Sequence, residues 1–343
     1  MDSASRRQLA RSLSIVENRA AGWRDILARS FAAGSKALIV GVTGPPGGGK
    51  STLIDALAAR WSQLGHEVAI IAVDPASPFS GGAVLGDRVR MRRSEDLDSV
   101  FIRSMSARGH VGGLNEAALD LCTVLGGFGM TRILLETVGA GQNEVEVAFV
   151  ADCTLVLSVP GLGDSVQAAK AGLMEVGDIY VVNKGDLAGA GAAARDISNI
   201  LALVFAGSPG RNIGAADASA LAAVPGPTRQ RLSERYGDPA KPGGAWHPPV
   251  LTTTATDDSA VDAVVEAIEV CAKWMAESGR REVRNLNRVG IHLRNILQQR
   301  LLEQTLAHAR TQLPFDGWVK AIAEHRIDPY SAADRILDVG NLD

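Results

Sequence analysis

Cysteine is scarce: the 343 residues hold only Cys122, Cys153 and Cys271. They stand far apart and form no CxxC or Cys/His spacing, which excludes a disulfide framework and a cysteine-based metal site. No apolar run reaches the eighteen or so residues of a membrane span, so no membrane partner is expected. The first residues, MDSASRRQLARSLS, lack the hydrophobic stretch of a secretory signal, and the expectation is a cytoplasmic protein. There is no basic excess either. Lys and Arg number 35 against 38 Asp and Glu, a net charge of −3, which argues against a nucleic-acid partner and its basic footprint. Lysine is rare, with seven residues, and arginine is the default cation. What is present, 46% apolar and 21% charged residues, suits one large α/β domain with appendages or two modest domains.

Residues 3–33 read as two helices, with Leu9, Leu13, Val16 and then Trp23, Ile26, Leu27 at helical spacing. Beyond Gly34 come short runs rich in Val, Ile and Leu, at 37–42, 68–73, 100–102, 133–135, 155–159 and 179–182. Helix-like stretches at 51–64, 115–125 and 166–174 separate most of them. Wholly apolar strands alternating with helices predict a parallel sheet covered on both faces, with functional loops at the carboxyl ends of the strands. Residues 206–249, rich in Gly, Pro and Ala, read as a surface excursion. An amphipathic helix returns at 261–272. A longer one at 282–310 carries the stripe Leu286, Val289, Leu293, Ile296, Leu297, Leu301 and Leu302, and a helix of that length extends about 43 Å. The stripe either meets another subunit or folds back on its own core. The division expected is a helical extension over 1–36, a nucleotide-binding domain over 37–275 and a helical segment over 276–343.

The strongest motif is Gly44, Pro45, Pro46, Gly47, Gly48, Gly49, Lys50 and Ser51, followed by Thr52. It fits GxxxxGK[ST] between a predicted strand and a predicted helix, the context that pattern requires. Glycines let successive backbone N–H groups face phosphate oxygens, and the helix amino terminus adds its positive dipole end. Lys50 would reach the β- and γ-phosphates and Ser51 would ligate Mg²⁺. The fold implied is a P-loop NTPase.

Asn183, Lys184, Gly185 and Asp186 follow the strand IYVV. A carboxylate there can accept hydrogen bonds from guanine N1–H and the 2-amino group, whereas adenine would leave it unpaired. The asparagine can read O6 or tie its loop to the phosphate loop. Alone, the tetrapeptide also reads as an ordinary turn with an Asp cap; downstream of a phosphate loop it selects GTP and GDP. Thr254 and Ala255 form a candidate last base-contacting loop. Asp74 and Glu136 each end a predicted strand, and with Asp87 they are candidate magnesium-side carboxylates. Each alone reads equally well as a cap or loop charge.

The segments GVTGPPGGGKSTL, AVDPASPFSGGAVLGDRVRM, FIRSMSARGHVGGLNEA, ETVGAGQNE, VPGLGDSVQAAKAGLMEVGDIYVVNKGD and DPYSAADRIL resemble the MeaB/ArgK-type GTPases associated with methylmalonyl-CoA mutase. The likeness runs from about residue 9 to 340. It implies a GTP-hydrolysing chaperone that gates cofactor loading, or protects, an adenosylcobalamin-dependent acyl-CoA mutase, with no cobalamin bound directly. It also implies a homodimer formed through the carboxyl-terminal helices. It makes 74–91, 136–144 and 161–170 the switch segments, with Gly139, Gln142, Glu144 and Lys170 as switch or catalytic candidates. Three of the seven lysines fall in the phosphate loop, NKGD and the third switch. Departures from the family pattern are Gly48 for Ala, Asn143 for Ser, a long stretch between Asp186 and Trp246, and TTTAT at the last base motif.

Ala140 stands where Ras-like proteins place a water-orienting Gln, and Gln142 lies two residues further on. Phosphoryl transfer depends on positioning and charge compensation, so slow hydrolysis by the chain alone is expected. A nickel-type metallochaperone GTPase would need a Cys/His cluster, and none is visible. A transport-associated kinase would need an acceptor-site base, and none follows the phosphate loop.

Overall fold

A computed structural model describes residues 1–74, 91, 93–94, 96–106, 114–137, 143–161, 176–205, 235–236, 244–309 and 315–340. In chain order, the elements begin with helices α1 (Ser3–Glu17) and α2 (Trp23–Ala33), strand β1 (Leu38–Thr43), α3 (Lys50–Gln63), β2 (Val68–Asp74) and β3 (Val100–Ser106). Then come α4 (Leu114–Gly127), β4 (Arg132–Thr137), α5 (Asn143–Val150), β5 (Cys153–Ser158) and β6 (Ile179–Val182). The last are α6 (Ala190–Phe205), β7 (Val250–Thr252), α7 (Asp258–Glu277), α8 (Arg280–Ala309), α9 (Phe315–Ala323) and α10 (Pro329–Gly340). The expected helix at 166–174 lies outside the described residues.

The strands form one sheet in the order β3-β2-β4-β1-β5-β6-β7, with every neighbouring pair parallel. Strand residues alternate between the faces, as a two-residue side-chain period requires. Leu38, Val40, Val42, Val68 and Ile70 meet Leu53, Leu57 and Trp61 of α3 and Val264 and Ile268 of α7. Ile39, Ala69, Ile71 and Val73 meet Leu9, Leu13 and Val16 of α1 and Leu121 and Val124 of α4. Burial on both faces explains why these strands read as unbroken apolar runs. Within 206–249, Tyr236 and Trp246 are buried in the first of these cores. All three cysteines are buried and free. Burial pushes the Cys122 thiol up to about 12. A hydrogen bond with Cys271, together with burial, pushes Cys153 up as well. Neither is a reactive thiolate.

Two compact units divide the chain, Met1–Arg288 and Val289–Asp343. In the first, charges fasten the amino ends of β5 and β6 to the start of α8. Asp178 is fully buried and receives Arg284 through two nitrogens, at 2.7 and 3.0 Å, and Arg235 at 2.8 Å. Asp152 receives Arg288 at 3.1 Å and the Ile39 amide at 3.0 Å. Arg281, Arg284 and Arg288 share one helical face by their spacing of three and four residues. In the second unit α9 packs against α10, while Leu293, Leu297, Leu301 and Leu302 of α8 are exposed, as are Val319 and Tyr330.

Burial alone would raise the Asp178 carboxyl, but Arg235 and Arg284 outweigh it and hold it below its ordinary value. The folded state therefore favours the ionised form. That stabilisation is present above the usual carboxylate range and is lost as pH falls below it. Asp178→Asn leaves two arginines without their charge partner and is expected to cost about 3 kcal/mol. Urea unfolding at neutral pH measures this, and the variant's stability should fall less steeply on acidification than that of the natural chain.

Candidate functional site

The phosphate loop leaves the carboxyl end of β1, in the middle of the sheet, and runs into α3. Two of its glycines are needed as glycines. Gly44 has φ +141°, and a Cβ there would strike the Leu157 carbonyl; Gly49 has φ +85°, and a Cβ would strike the Asn183 amide. Gly49 also stands at the helix N-cap with no side-chain cap, so the first amides of α3 are available to an anion. Lys50 is buried, and its Nζ donates to the Gly44 carbonyl at 2.7 Å and the Pro45 carbonyl at 3.1 Å. The ammonium thus spans the mouth of its own loop.

Parallel register sets Glu136 of β4 level with Val42 of β1 and Ala72 of β2. Glu136 is buried, and the Ser51 hydroxyl donates to its Oε1 at 2.6 Å. A hydroxyl and a carboxylate thus meet beside the phosphate loop, a hard oxygen pair suited to Mg²⁺. Asp74 closes β2 at the same edge of the sheet. Asp87, Gly139, Gln142 and Lys170 lie outside the described residues, as do the side chains of Asp74 and Glu144. Among the described residues, no three His, Cys, Asp or Glu side chains are grouped to hold a metal ion. No described helix is long and apolar enough to cross a membrane.

Asn183 directly follows β6 and is buried. Its Nδ2 donates to the Gly48 carbonyl at 2.9 Å, and its Oδ1 accepts the Ala255 amide at 3.3 Å. Having a carbonyl on one side and an N–H on the other fixes which way the amide group points. Lys184 has φ +58°, a left-handed conformation uncommon for a residue with a side chain. The Gly185 amide donates to the Thr253 carbonyl at 2.9 Å. Asp186 is exposed, and the Thr254 hydroxyl donates to its Oδ1 at 3.5 Å. The structure therefore brings together Gly44, Gly48, Lys50, Ser51 and Glu136 with Asn183, Asp186, Thr254 and Ala255. Pro45, Pro46 and Gly47 complete the loop between them, and Thr52 lies exposed in the first turn of α3.

The model of the family described as methylmalonyl Co-A mutase-associated GTPase MeaB matches residues 9–310. The chain belongs to the MeaB family. A Pyrococcus abyssi protein named as a GTPase is 37% identical over 98% of this chain and 94% of its own. GTPase ArgK of Escherichia coli is 33% identical over 82% of this chain and 75% of its own. The mouse methylmalonic aciduria type A homolog, mitochondrial, is 30% identical over 87% of this chain and 64% of its own. The solved structure of a LAO/AO transport system kinase superposes with a TM-score of 0.62 at 24% identity, covering 98% of each chain, which is a likeness of fold. The fold is that of a P-loop NTPase. This member of the MeaB family is a GTPase that binds guanine nucleotide and hydrolyses GTP to GDP and phosphate.

Asn183→Ala removes both arms of the bridge and leaves the buried Gly48 carbonyl without that donor. The expected loss of GDP affinity is about 2 kcal/mol, or roughly thirtyfold. Titration with a fluorescent GDP analogue checks it.

Proposed function

We propose that this MeaB-family chain is a guanine-nucleotide-gated chaperone of an adenosylcobalamin-dependent acyl-CoA mutase of the methylmalonyl-CoA type, loading or protecting that enzyme's cofactor. The observation that carries the nucleotide half is the Asn183 bridge, which joins the phosphate loop to the last base loop. The partner is supported by the family's description and by the name of the mouse relative.

In this reading the amides of the loop from Gly44 to Thr52 hold the phosphates, and Lys50 turns from the loop carbonyls toward the β- and γ-oxygens. Asn183, Lys184, Asp186, Thr254 and Ala255 hold guanine. Ser51 and Glu136, with Asp74 and Asp87, form the magnesium side. Mg²⁺, when bound, offsets charge on the phosphate oxygens. Gly139, Gln142, Glu144 and Lys170 supply the switch contacts. Ala140 offers no side chain to orient water, so hydrolysis is slow until a partner completes the site. The nucleotide state then acts as a switch, because contacts to the γ-phosphate order the switch segments and their loss releases them.

The exposed leucines of α8 continue the stripe through Leu286, which is 63% exposed. Monomeric chains rarely leave so continuous an apolar line in water, and a second copy of the chain is its proposed cover. Sedimentation tests both parts of the proposal in one series. Alone at micromolar concentration the chain should run as a dimer. With mutase and a non-hydrolysable GTP analogue it should shift into a larger complex than it forms with GDP. A monomer, or mutase sedimenting unchanged with either nucleotide, would contradict the proposal.

A further inference from the structure

Asp55 follows Ser51 by four residues on α3 and so lies on the same face one turn later. It is buried, and every oxygen of its carboxylate is engaged. Oδ2 accepts the Arg93 amide at 2.9 Å. Oδ1 accepts the Ser94 amide at 2.9 Å and the Ser94 hydroxyl at 2.5 Å. Ser94 and Met91 are themselves fully buried. A carboxylate taken out of water is costly unless it is hydrogen-bonded this completely. Such a residue at this place holds the backbone at 93–94 firmly to the helix that begins with Lys50 and Ser51.

The Arg93 side chain extends the connection. It donates to Asp258 Oδ1 at 3.0 Å and to the Thr256 carbonyl at 3.3 Å. Thr256 sits in the turn closed by the Asp257 amide on the Thr254 carbonyl at 2.7 Å. That turn carries Ala255, whose amide donates to Asn183, and Asn183 donates in turn to Gly48. The links form a closed ring: phosphate loop, α3, Asp55, Arg93, last base loop, Asn183 and back to the phosphate loop. Residues 93–94 stand in sequence just after 74–91, the stretch that contains Asp74 and Asp87.

We infer that Asp55 and Arg93 are positioning residues of the GTPase: together they fix the chain just after 74–91 to both the phosphate-loop helix and the last base loop. Each acts through the groups it holds. The inference rests on reading 44–52 and 254–255 as parts of the nucleotide site and 74–91 as its magnesium-side segment. Its consequence is a division of effects. Binding of GDP depends on the Asn183 half of the ring, and the rate of the chemical step depends on the Asp55–Arg93 half.

The test uses the full chain and its variants Asp55→Asn, Arg93→Ala and Arg93→Lys. Three quantities are read: the affinity for a fluorescent GDP analogue, the single-turnover rate constant of GTP hydrolysis, and the thermal midpoint. Asparagine has one acceptor oxygen where aspartate has two, so Asp55→Asn should slow the single turnover about tenfold. Arg93→Ala should slow it about threefold, and both should leave GDP affinity within about threefold of the natural chain. Arg93→Lys should recover most of the rate, because an ammonium can still reach one of the two acceptors. If Asp55→Asn does not fold, the two Arg93 variants decide. Rates unchanged in Arg93→Ala, or GDP affinity and rate falling together with the thermal midpoint, would overturn the inference. Failure of the natural chain to bind GDP would instead overturn the nucleotide-site reading, and the inference with it.

Discussion

One amide side chain organises the nucleotide end of this molecule. Asn183 is buried at the end of β6, and its two polar atoms face in opposite directions, one to Gly48 and one to Ala255. Gly49 has to be glycine because the Asn183 amide occupies the space a Cβ would take. The phosphate loop, the NKGD loop and the loop after β7 are therefore positioned relative to one another by the protein's own groups, and such positioning lowers the ordering cost of binding. The proposed recognition of the base by Asp186 requires that carboxylate to be held at a constant distance from the phosphates.

At the other ends of the same strands the constraint is electrostatic. Asp152 and Asp178 immediately precede β5 and β6, and both are held by arginines of α8. Buried ion pairs of this kind contribute less to stability than their number suggests, yet removing one partner is costly. They define where α8 starts from the sheet, while its leucine stripe is left on the surface. The helix is thus fixed at its root by charge.

Whatever depended on neighbours in sequence could be read before the fold was known. Apolar strand runs, GPPGGGKS and NKGD are local patterns, and they occupy the sheet and the loop positions expected of them. The extent of β3 was not legible: 100–102 was expected, and the strand runs to Ser106. Arg103 and Ser104 interrupt the apolar run, and Arg103 is accommodated by Glu17 of α1. Helix α6 was missed because its opening, AGAAARD, meets the core only through the small side chains of Ala190, Ala193 and Ala194 before Ile197 and Leu201 reach it. Asp55, Asp152 and Asp178 gave no signal at all. Their partners lie 24 to 136 residues away in sequence, and no spacing rule connects residues that only the fold brings together. In the stretch 206–249 a Gly- and Pro-rich composition concealed two aromatic residues that belong to the core.

In the proposed site the amide loop grips a triphosphate while Asp186 selects the base. Isothermal titration of the purified chain with GTP and with ATP, both with Mg²⁺, tests it most directly. GTP should bind at least about a hundredfold more tightly than ATP, because adenine would leave the carboxylate without its two donors. Equal affinity for the two nucleotides, or binding of neither, would contradict it.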